Sequence, residues 1–422
     1  MKDYYTLTEV ADLLGVSKET LRRWDNSGKL VAVRHPINNY RVFHKSELKQ
    51  FEQLGFMFNE ISNNECKPLK KYSSIELFAG AGGLALGLEK AGLECIMLNE
   101  IDHWACETLK KNRPNWNIVE DDVANLNFVH FKDKIDVITG GFPCQAFSYA
   151  GKKLGLNDTR GTLFYEFARA VNEIQPPVFV AENVRGLLTH DDGKTLDGIL
   201  SVFEEIGYKV IEPKILKAIF YKVPQKRERL IIVGIRKDIN VPFYYPNPYS
   251  ELYTLKDALL AGKLYDTEVP KSEGMKYPIK KMNIMKHVPE GGYWRDLPIE
   301  LQKEYMMKSY YLGGGKTGMA RRMSWNEPCL TLTCSPCQKQ TERCHPSETR
   351  PFTVREYARI QTFPDDWEFA GSLAQQYKQI GNAVPVNMAK ELGYSIIDFL
   401  NRYLAISNKN HPDSEQSLTQ VY

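Results

Sequence analysis

Residues 74–83 read SIELFAGAGG, a short apolar run that ends in a turn with three glycines. The run predicts a β-strand over residues 74–78, and the apolar pattern of residues 84–91 predicts a helix directly after the turn. Glycine lets a ligand approach the backbone closely, and the amino end of a helix favours polar or anionic groups. Because the turn lacks the lysine of a P-loop, we expect a nucleoside cofactor here rather than a triphosphate.

The alternation of strand and helix continues to residue 236. Apolar runs predict strands at residues 94–98, 136–139, 178–181 and 230–235, and helical patterns lie at residues 163–174 and 196–206. This alternation predicts an α/β fold, in which a mostly parallel sheet carries helices on both faces. The chain has 422 residues, of which 43% are hydrophobic and 25% charged, so we expect two or three globular domains.

Two acidic residues follow strands of this pattern. Glu100 ends the second predicted strand, twenty residues after Gly80, where a carboxylate can bind both ribose hydroxyls of a nucleoside. Asp122 follows a third strand-like run, where it can hold an adenine amino group. Together with the glycine turn, these residues predict the binding of a nucleoside cofactor.

Three chemical groups are predicted to meet at the carboxyl edge of the sheet. Residues 140–148 read GGFPCQAFS and place Cys144 directly after a strand, and Glu182 ends the next strand. Arg227 and Arg229 stand just before the last predicted strand. A lone cysteine is more often a small buried hydrophobic residue, but glycines, a proline and a glutamine surround this one. Because ligands of open α/β sheets bind at the carboxyl ends of the strands, the thiol, carboxyl and guanidinium groups predict covalent catalysis.

The amino-terminal residues follow a different pattern. Thr6 and Glu9 form a capping-box signature before an apolar helical stripe, and Ser17 can cap a second helix. An Asn-Asn turn at residues 38–39 predicts a β-hairpin, or wing. Residues 17–49 contain eight Lys and Arg against three Asp and Glu, so their local charge of +5 exceeds the +3 of the whole chain. A basic face of this kind is typical of nucleic-acid binding.

These helices and the wing resemble the winged helix-turn-helix of mercury-resistance-type regulators and of phage excisionases. The resemblance implies a DNA-binding domain over residues 1–58, followed by a polar linker over residues 59–72. It implies that four basic side chains bind DNA, which are Lys18, Arg22, Arg23 and Arg41. The alternative is a three-helix packing unit whose basic face is only solvated.

Residues 73–400 resemble the DNA (cytosine-5) methyltransferases. The motifs that carry the resemblance stand in that family's order: the glycine turn at 78–83, Glu100, Asp122, Pro-Cys-Gln at 143–145, NDTRGTLF at 157–164, Glu-Asn-Val at 182–184, Gln-x-Arg-x-Arg at 225–229, RPFTVREYARIQTFPD at 350–365 and QIGNAVP at 379–385. The resemblance implies a Rossmann-like core that binds S-adenosyl-L-methionine, with an irregular, small target-recognition domain. The residues implied to bind this cofactor are Phe78, Ala79, Gly80, Gly82, Gly83, Glu100, Ile101, Asp122, Val123, Pro143, Leu163, Asn382 and Ala383.

The resemblance also divides the chain and assigns roles to its catalytic residues. It implies a catalytic core over residues 73–239, a recognition domain over 240–345, a return to the core over 346–402 and a polar tail over 403–422. In the implied mechanism, the Cys144 thiolate adds to C6 of a flipped cytosine, and C5 then takes the methyl group. Glu182 holds the base at N3, Arg229 contacts O2, and Arg227 contacts a phosphate or the same anionic region. Positive charge from the two arginines favours the thiolate.

The recognition domain supplies further donors for base edges and phosphates. The residues implied to contact the substrate DNA are Gln145, Ser148, Arg160, Arg321, Arg322, Thr331, Leu332, Gln338 and Lys339. The alternative for most of them is a solvated charged loop. Cys334 and Cys337, with Cys344 and His345, raise a zinc alternative, but adjacent Cys-His ligands are geometrically awkward and we predict no metal.

We therefore expect a site-specific DNA methyltransferase of a restriction–modification system that acts on double-stranded DNA. The head is expected to bind operator DNA and regulate transcription. We expect a monomer on DNA, with dimerisation through the head as the alternative. No run of 18 apolar residues and no disulfide-like cysteine pattern is present, which favours a reducing cytoplasm over a membrane or an oxidising compartment. The resemblance implies a prokaryotic cell and association with its nucleoid. Two other functions stay open: cytosine methylation in transfer RNA on the same fold, and transcription regulation alone.

Overall fold

The structure, a computed structural model, describes residues 3–35, 39–51, 54–55, 58, 64–143 and 162–410. The strands in this part of the chain are β1 (Tyr4–Thr6), β2 (Val33–Arg34), β3 (Arg41–His44), β4 (Tyr72–Leu77), β5 (Leu93–Glu100), β6 (Ile118–Glu120), β7 (Val137–Gly140), β8 (Val178–Val184), β9 (Tyr208–Lys217), β10 (Gln225–Lys226), β11 (Glu228–Arg236) and β12 (Cys329–Leu330). The helices are α1 (Leu7–Leu14), α2 (Lys18–Asn26), α3 (Gly83–Ala91), α4 (His103–Asn112), α5 (Leu163–Ile174), α6 (Lys194–Glu205), α7 (Leu255–Leu259), α8 (Ile279–Met285), α9 (Ile299–Met306), α10 (Val354–Ile360), α11 (Leu373–Asn382) and α12 (Val386–Asn410). Among these residues, no helix has both the length and the apolar character needed to cross a membrane.

The central sheet has seven strands in the order β6-β5-β4-β7-β8-β11-β9. Its first five strands are parallel to one another, which confirms the predicted α/β core. The strand predicted at residues 230–235 is β11, and it runs antiparallel to both β8 and β9. A parallel crossover needs a dozen or more residues, usually with a helix, whereas β9 and β11 are joined by a shorter connection. The chain therefore returns as an antiparallel pair, and the sequence pattern did not reveal β9.

Helices cover both faces of the sheet. Helices α5 and α6 contribute to a hydrophobic cluster on one face, and α3 and α12 contribute to a cluster on the other. The contact between α3 and α12 is close because Gly87 has no side chain: an added Cβ would lie 2.4 Å from the Cβ of Ala389. Helix α12 runs to Asn410, so the chain is still helical beyond residue 403, where a polar tail was predicted. Residues 411–422 lie outside the described residues.

The head, residues 3–51, contains the predicted helices and wing. Thr6 forms the capping box with Glu9 at the start of α1, and Ser17 accepts a hydrogen bond from the backbone N–H of Thr20 at the start of α2. Gly15 ends α1 with a φ of 69°, a left-handed conformation that glycine adopts without strain. The wing strands β2 and β3 pair antiparallel, and β1 pairs with the free side of β3. The β1 strand was not predicted.

Much of the chain after β11 lacks regular secondary structure, as its sequence predicted. A separate hydrophobic cluster there extends from Tyr277 to Cys344 and includes buried side chains of α8 and α9. Residues between 241 and 259 instead contribute to clusters shared with the central sheet and with α10. The parallel pairing of β10 with β12 joins the recognition region to the catalytic core.

Candidate functional site

A cavity of about 570 Å³ opens at the carboxyl ends of β4, β5, β7 and β8. This is the edge at which open α/β sheets bind ligands. The predicted site residues that line the cavity are Phe78, Ala79, Gly80, Gly83, Glu100, Ile101, Pro143, Leu163, Glu182, Arg229, Asn382 and Ala383. The structure therefore brings together residues that are far apart in the sequence.

The glycine turn is held in place by Glu100. One carboxylate oxygen of Glu100, Oε2, accepts a hydrogen bond of 2.7 Å from the backbone N–H of Gly80, and the other accepts from the N–H groups of Ile101 and Asp102. Phe78 has a φ of 58°, which is unusual for a residue with a side chain. An added Cβ at Gly83 would lie 2.3 Å from the carbonyl oxygen of Val384. Only glycine at this position allows the turn to meet the residues of the last motif.

Three predicted cofactor residues do not line the cavity. The position of Gly82 faces a side chain instead, since an added Cβ would lie 2.6 Å from Leu109. Asp122 caps a short 3-10 turn by accepting a hydrogen bond from the backbone N–H of Ala124, and Val123 in that turn is buried. The predicted contact of Asp122 with adenine is therefore not supported by the lining of this cavity.

Glu182 and Arg229 form an ion pair in the wall of the cavity. They come from the neighbouring strands β8 and β11, in which Glu182 lies opposite Ile231 and Arg229 lies opposite Val184. Both side chains are largely buried, with 13% and 11% exposed. An added Cβ at Gly141 would lie 2.8 Å from the Glu182 carboxylate, so this glycine leaves room for the acid beside the strand that leads to Pro143. Cys144 itself lies outside the described residues.

Arg227 does not line the cavity, and its burial contradicts the predicted contact with a phosphate or with the same anionic region. Its side chain is 1% exposed and donates hydrogen bonds to the backbone carbonyls of Leu332, Gly381 and Asn382. Burial, and then the neighbouring Arg229, lower the pKa of the guanidinium to about 9. A guanidinium enclosed in this way cannot reach a phosphate. Its hydrogen bonds instead hold the backbone of the last motif, residues 379–385.

Glu76 is a residue of the cavity that the sequence prediction missed. It is 4% exposed and lines the cavity, and its Oε2 has no hydrogen-bond partner among the described residues. Its register partner Thr139 on β7 carries a second buried oxygen without such a partner. Burial, with the charges of Glu100 and Glu182, raises the pKa of the Glu76 carboxyl well above 4.5. A glutamate within an otherwise apolar strand was the signal that could have found it.

These groups fit a nucleoside cofactor that also carries a cationic group. Glu100 sits at the glycine turn with lone pairs for hydroxyl groups, and Glu76 offers an unpaired carboxyl oxygen deeper in the cavity. A buried polar atom without a partner is costly, so a bound polar ligand would stabilise it.

Several residues predicted to bind DNA in the recognition region have structural roles instead. Arg322 is 4% exposed and donates hydrogen bonds to carbonyls that include those of Val288 and Met285, so its prediction as a DNA contact is wrong. Leu332 is buried, and the Thr331 hydroxyl donates to the carbonyl of Lys226. Positive charge in the sequence does not distinguish a buried arginine that organises loops from one that reaches a ligand.

Other predicted contacts of this region stay as predictions. The guanidinium of Arg321 lies 6.0 Å from the ring of Tyr293, and burial lowers its pKa. Gln338 is exposed, and the ammonium of Lys339 lies 5.2 Å from the ring of Tyr305. Three further predicted contacts lie outside the described residues: Gln145, Ser148 and Arg160.

The predicted DNA-binding residues of the head differ in their surroundings. Arg22 and Arg23 are exposed, and Arg22 forms an ion pair of 3.0 Å with Glu19 on the same helix. Arg41 pairs with Asp25 at 2.6 Å and is partly buried. Lys18 is exposed and pairs with Glu327 of the recognition region at 3.1 Å, and its contact with DNA stays a prediction.

The cysteines and the histidine of the zinc alternative form hydrogen bonds with separate parts of the chain. The Cys334 thiol lies 3.1 Å from Oδ1 of Asn382, and the Cys344 thiol donates to the carbonyl of Glu348. His345 Nδ1 accepts a backbone hydrogen bond from Glu348. Among the described residues, the side chains whose possible metal-ligand atoms lie close together are those of His103, Glu107 and Glu120, on and beside α4.

Comparison with known proteins identifies the family. The family model described as C-5 cytosine-specific DNA methylase matches residues 72–398, and the helix-turn-helix domain model matches residues 4–53. The chain is 62% identical over 405 residues to the Type II methyltransferase M.Eco47II of Escherichia coli, which covers 95% of this chain and 97% of that protein. It is 59% identical over 403 residues to the Type II methyltransferase M.PspPI of a Psychrobacter strain, which covers 94% of this chain and 97% of that protein.

Solved structures agree with this fold. A prophage-encoded E. coli protein described as a DNA modification methyltransferase superposes with a TM-score of 0.57 at 27% identity, over 78% of this chain and 100% of that one. A DNMT2 from Spodoptera frugiperda shares the fold, with a TM-score of 0.56 at 17% identity, over 77% of this chain and 99% of that one. The chain therefore belongs to the family of C-5 cytosine-specific DNA methylases, with a helix-turn-helix domain ahead of its catalytic region.

Proposed function

We propose that this protein methylates C5 of a flipped cytosine at a specific site in double-stranded DNA, through a covalent bond between Cys144 and C6. The observation that carries the proposal is the Glu182–Arg229 ion pair in the wall of the cavity that the glycine turn also lines. Pro143, the residue before Cys144, lines the same cavity. Membership of the C-5 cytosine-specific DNA methylase family supports the reaction class.

The cofactor of the proposal is S-adenosyl-L-methionine, which supplies an activated methyl group when bound. Phe78, Gly80 and Glu100 would hold its nucleoside part, because they form the turn and the carboxylate at one end of the cavity. We assign Glu76 to its cationic part, on the ground of the unpaired carboxyl oxygen. Asn382 and Ala383, next to the glycine turn, would line the same cavity around it.

The chain's own residues carry the chemistry on the base. The Cys144 thiolate forms a bond to C6, which moves an electron pair to C5 and makes that carbon nucleophilic. Glu182 holds a proton at ring N3, and Arg229, which pairs with Glu182, contacts O2. After methylation, loss of the C5 proton allows the bond between Cys144 and C6 to break, and the thiolate is recovered. The base must first leave the DNA stack, at a cost of a few kcal/mol.

The test is transfer of a tritiated methyl group to unmethylated duplex DNA and, separately, to transfer RNA. We expect label in DNA, and none in transfer RNA, because the chain carries a recognition region and a DNA-binding head. Label in transfer RNA alone would contradict the choice of substrate. Bisulfite sequencing of the labelled DNA then identifies the methylated cytosine.

We further propose that the protein protects host DNA in a restriction–modification system of the prokaryotic cytoplasm and nucleoid, and that the head binds operator DNA. The relatives named as Type II methyltransferases support the first part, and the helix-turn-helix match supports the second. Exposed Arg22 and Arg23 on α2 are the side chains that we assign to the operator. We expect a monomer on the methylated DNA.

A further inference from the structure

Among the described residues, buried apolar side chains of the head and of the catalytic core belong to one hydrophobic cluster. Leu13 and Leu14 of the head lie in this cluster together with Leu216 and Ala218, at the end of β9. An added Cβ at Gly15 would lie 2.8 Å from the ammonium of Lys217, also on β9. The end of α1 is therefore in direct contact with the last strand of the central sheet.

Opposite charges continue this contact to strand β10. The ammonium of Lys226 lies 2.9 Å from Oδ1 of Asp12 on α1, and these side chains are 24% and 11% exposed. Lys226 also lies 3.7 Å from Glu327, which in turn pairs with Lys18 of the head at 3.1 Å. These four side chains form one chain of charges that begins and ends in the head, and three of them, Asp12, Lys226 and Glu327, are largely shielded from solvent.

The residues on either side of Lys226 support the methylation site. Gln225 accepts a hydrogen bond of 2.9 Å from the backbone N–H of Leu332, and Arg227 donates to the carbonyls of Gly381 and Asn382. Side chains of an extended chain alternate between its two sides, so Lys226 points away from Gln225 and Arg227. The head therefore holds this segment from one side while the segment holds the last motif from the other. Asn382 in turn lines the cofactor cavity.

We propose that the head stabilises the geometry of the methylation site, and that Asp12 is a positioning residue for this site. Asp12 fixes Lys226, and through the backbone it fixes Gln225, which accepts from Leu332, and Arg227, which donates to Gly381 and Asn382. The inference rests on methyl transfer by this chain and is independent of operator binding. It predicts that a change in the head, at a residue that does not line the cavity, alters catalysis.

The experiment is a double-mutant cycle in the full-length protein, with Asp12→Ala, Lys226→Ala and the two combined. Methyl transfer to unmethylated phage DNA is measured over a range of S-adenosyl-L-methionine concentrations. We expect Asp12→Ala to lower kcat/KM by about 2- to 30-fold, mainly through KM for the cofactor, since couplings of this kind amount to 0.5–2 kcal/mol. The effects of the two single changes should not multiply, because each breaks the same contact. Glu19→Ala is the matched control, since Glu19 is an exposed acid of the head that pairs with Arg22.

Thermal unfolding of each variant separates positioning from simple stabilisation. If Asp12→Ala lowers the unfolding temperature but leaves kcat/KM unchanged well below that temperature, the head is only docked and the proposal is overturned. If the two single changes multiply in kcat/KM, the Asp12–Lys226 contact does not carry the effect and the proposal is again overturned. Should Asp12→Ala fail to fold, Asp12→Asn keeps the size of the side chain and is tested by the same criteria. Because every comparison is with a wild-type protein that methylates DNA, failure of the proposed function would appear separately, as loss of wild-type activity.

Discussion

Glu76 illustrates how a single buried residue links the site to stability. Burial, and then the nearby Glu100 and Glu182, favour the neutral form of its carboxyl and raise its pKa well above 4.5. The folded protein therefore retains a proton that the unfolded chain releases above that pH, so the contribution of Glu76 to stability falls as pH rises from 4.5 through the folded pKa.

Glu76→Gln should remove this pH dependence. The amide has the same shape and cannot ionise, so we expect the variant to unfold at a higher temperature than wild type at pH 8, with a smaller difference at pH 5. Cofactor-free protein is compared by thermal unfolding, and Glu300→Gln, an exposed glutamate, is the control. Equal midpoints at both pH values would contradict the assignment of a raised pKa. The same variant should bind S-adenosyl-L-methionine more weakly if Glu76 faces its cationic part.

The two arginines of the Gln-x-Arg-x-Arg motif, Arg227 and Arg229, should behave differently when replaced. Arg227→Ala leaves three backbone carbonyls without their donor, so we expect the free energy of unfolding to fall by about 3 kcal/mol. Arg229→Ala removes the partner of Glu182 at the cavity, and we expect kcat to fall by about a hundredfold. Denaturant unfolding and single-turnover methyl transfer measure the two effects. A stable Arg227→Ala protein with weakened DNA binding would restore the role that the sequence suggested.

At the scale of elements, local patterns predicted the strands and helices of the core well. The glycine turn, α5 and the parallel strands follow from apolar periodicity and capping residues, which are local properties. Strand β9 and the antiparallel direction of β11 depend on which distant strands pair, and a local pattern does not contain that information. The same limit explains Arg227 and Arg322, which are buried by partners from segments far away in the sequence. The sequence predicted the site residues that stand at the end of a strand. It did not predict which residues are buried and therefore have a structural role.

The close contact between α3 and α12 can be tested by a substitution at Gly87. In Gly87→Ala the new Cβ would lie 2.4 Å from the Cβ of Ala389 and 2.6 Å from the carbonyl oxygen of Val386. Because backbone atoms cannot move aside easily, we expect a loss of about 1–3 kcal/mol in the free energy of unfolding, despite the better helix propensity of alanine. Gly313→Ala, where no atom lies within 4 Å of an added Cβ, is the control. Equal stability of the two variants would show that these helices can separate.

At the scale of the whole molecule, the head and the core share buried surface. Leu13 and Leu216 lie in one hydrophobic cluster, so the isolated head would expose apolar side chains that the full chain covers. Operator binding is therefore best measured with the full-length protein. The overall charge of +3 conceals the basic head, whose exposed arginines are the main candidates for this contact.

Arg22→Ala combined with Arg23→Ala should weaken binding to the DNA upstream of the gene. If each side chain meets one phosphate, the slope of log K against log salt should decrease by about 2. Methylation of phage DNA should continue, because neither residue belongs to the cavity. Lys209→Ala with Lys214→Ala removes the same charge from exposed positions on β9 and serves as the control. An unchanged slope would show that the basic face of the head contacts solvent and not the DNA.

The central claim is covalent catalysis by Cys144 at the cavity that Glu182 and Arg229 line. The most direct measurement is the mass of the protein after incubation with S-adenosyl-L-methionine and a duplex that contains 5-fluorocytosine at the methylated position found by bisulfite sequencing. Fluorine replaces the proton that must leave C5, so the bond between thiol and C6 cannot break. We predict that wild type gains the mass of the modified DNA strand and that Cys144→Ala does not. An adduct that persists in Cys144→Ala, or a wild-type protein that methylates DNA yet never forms the adduct, would contradict the account.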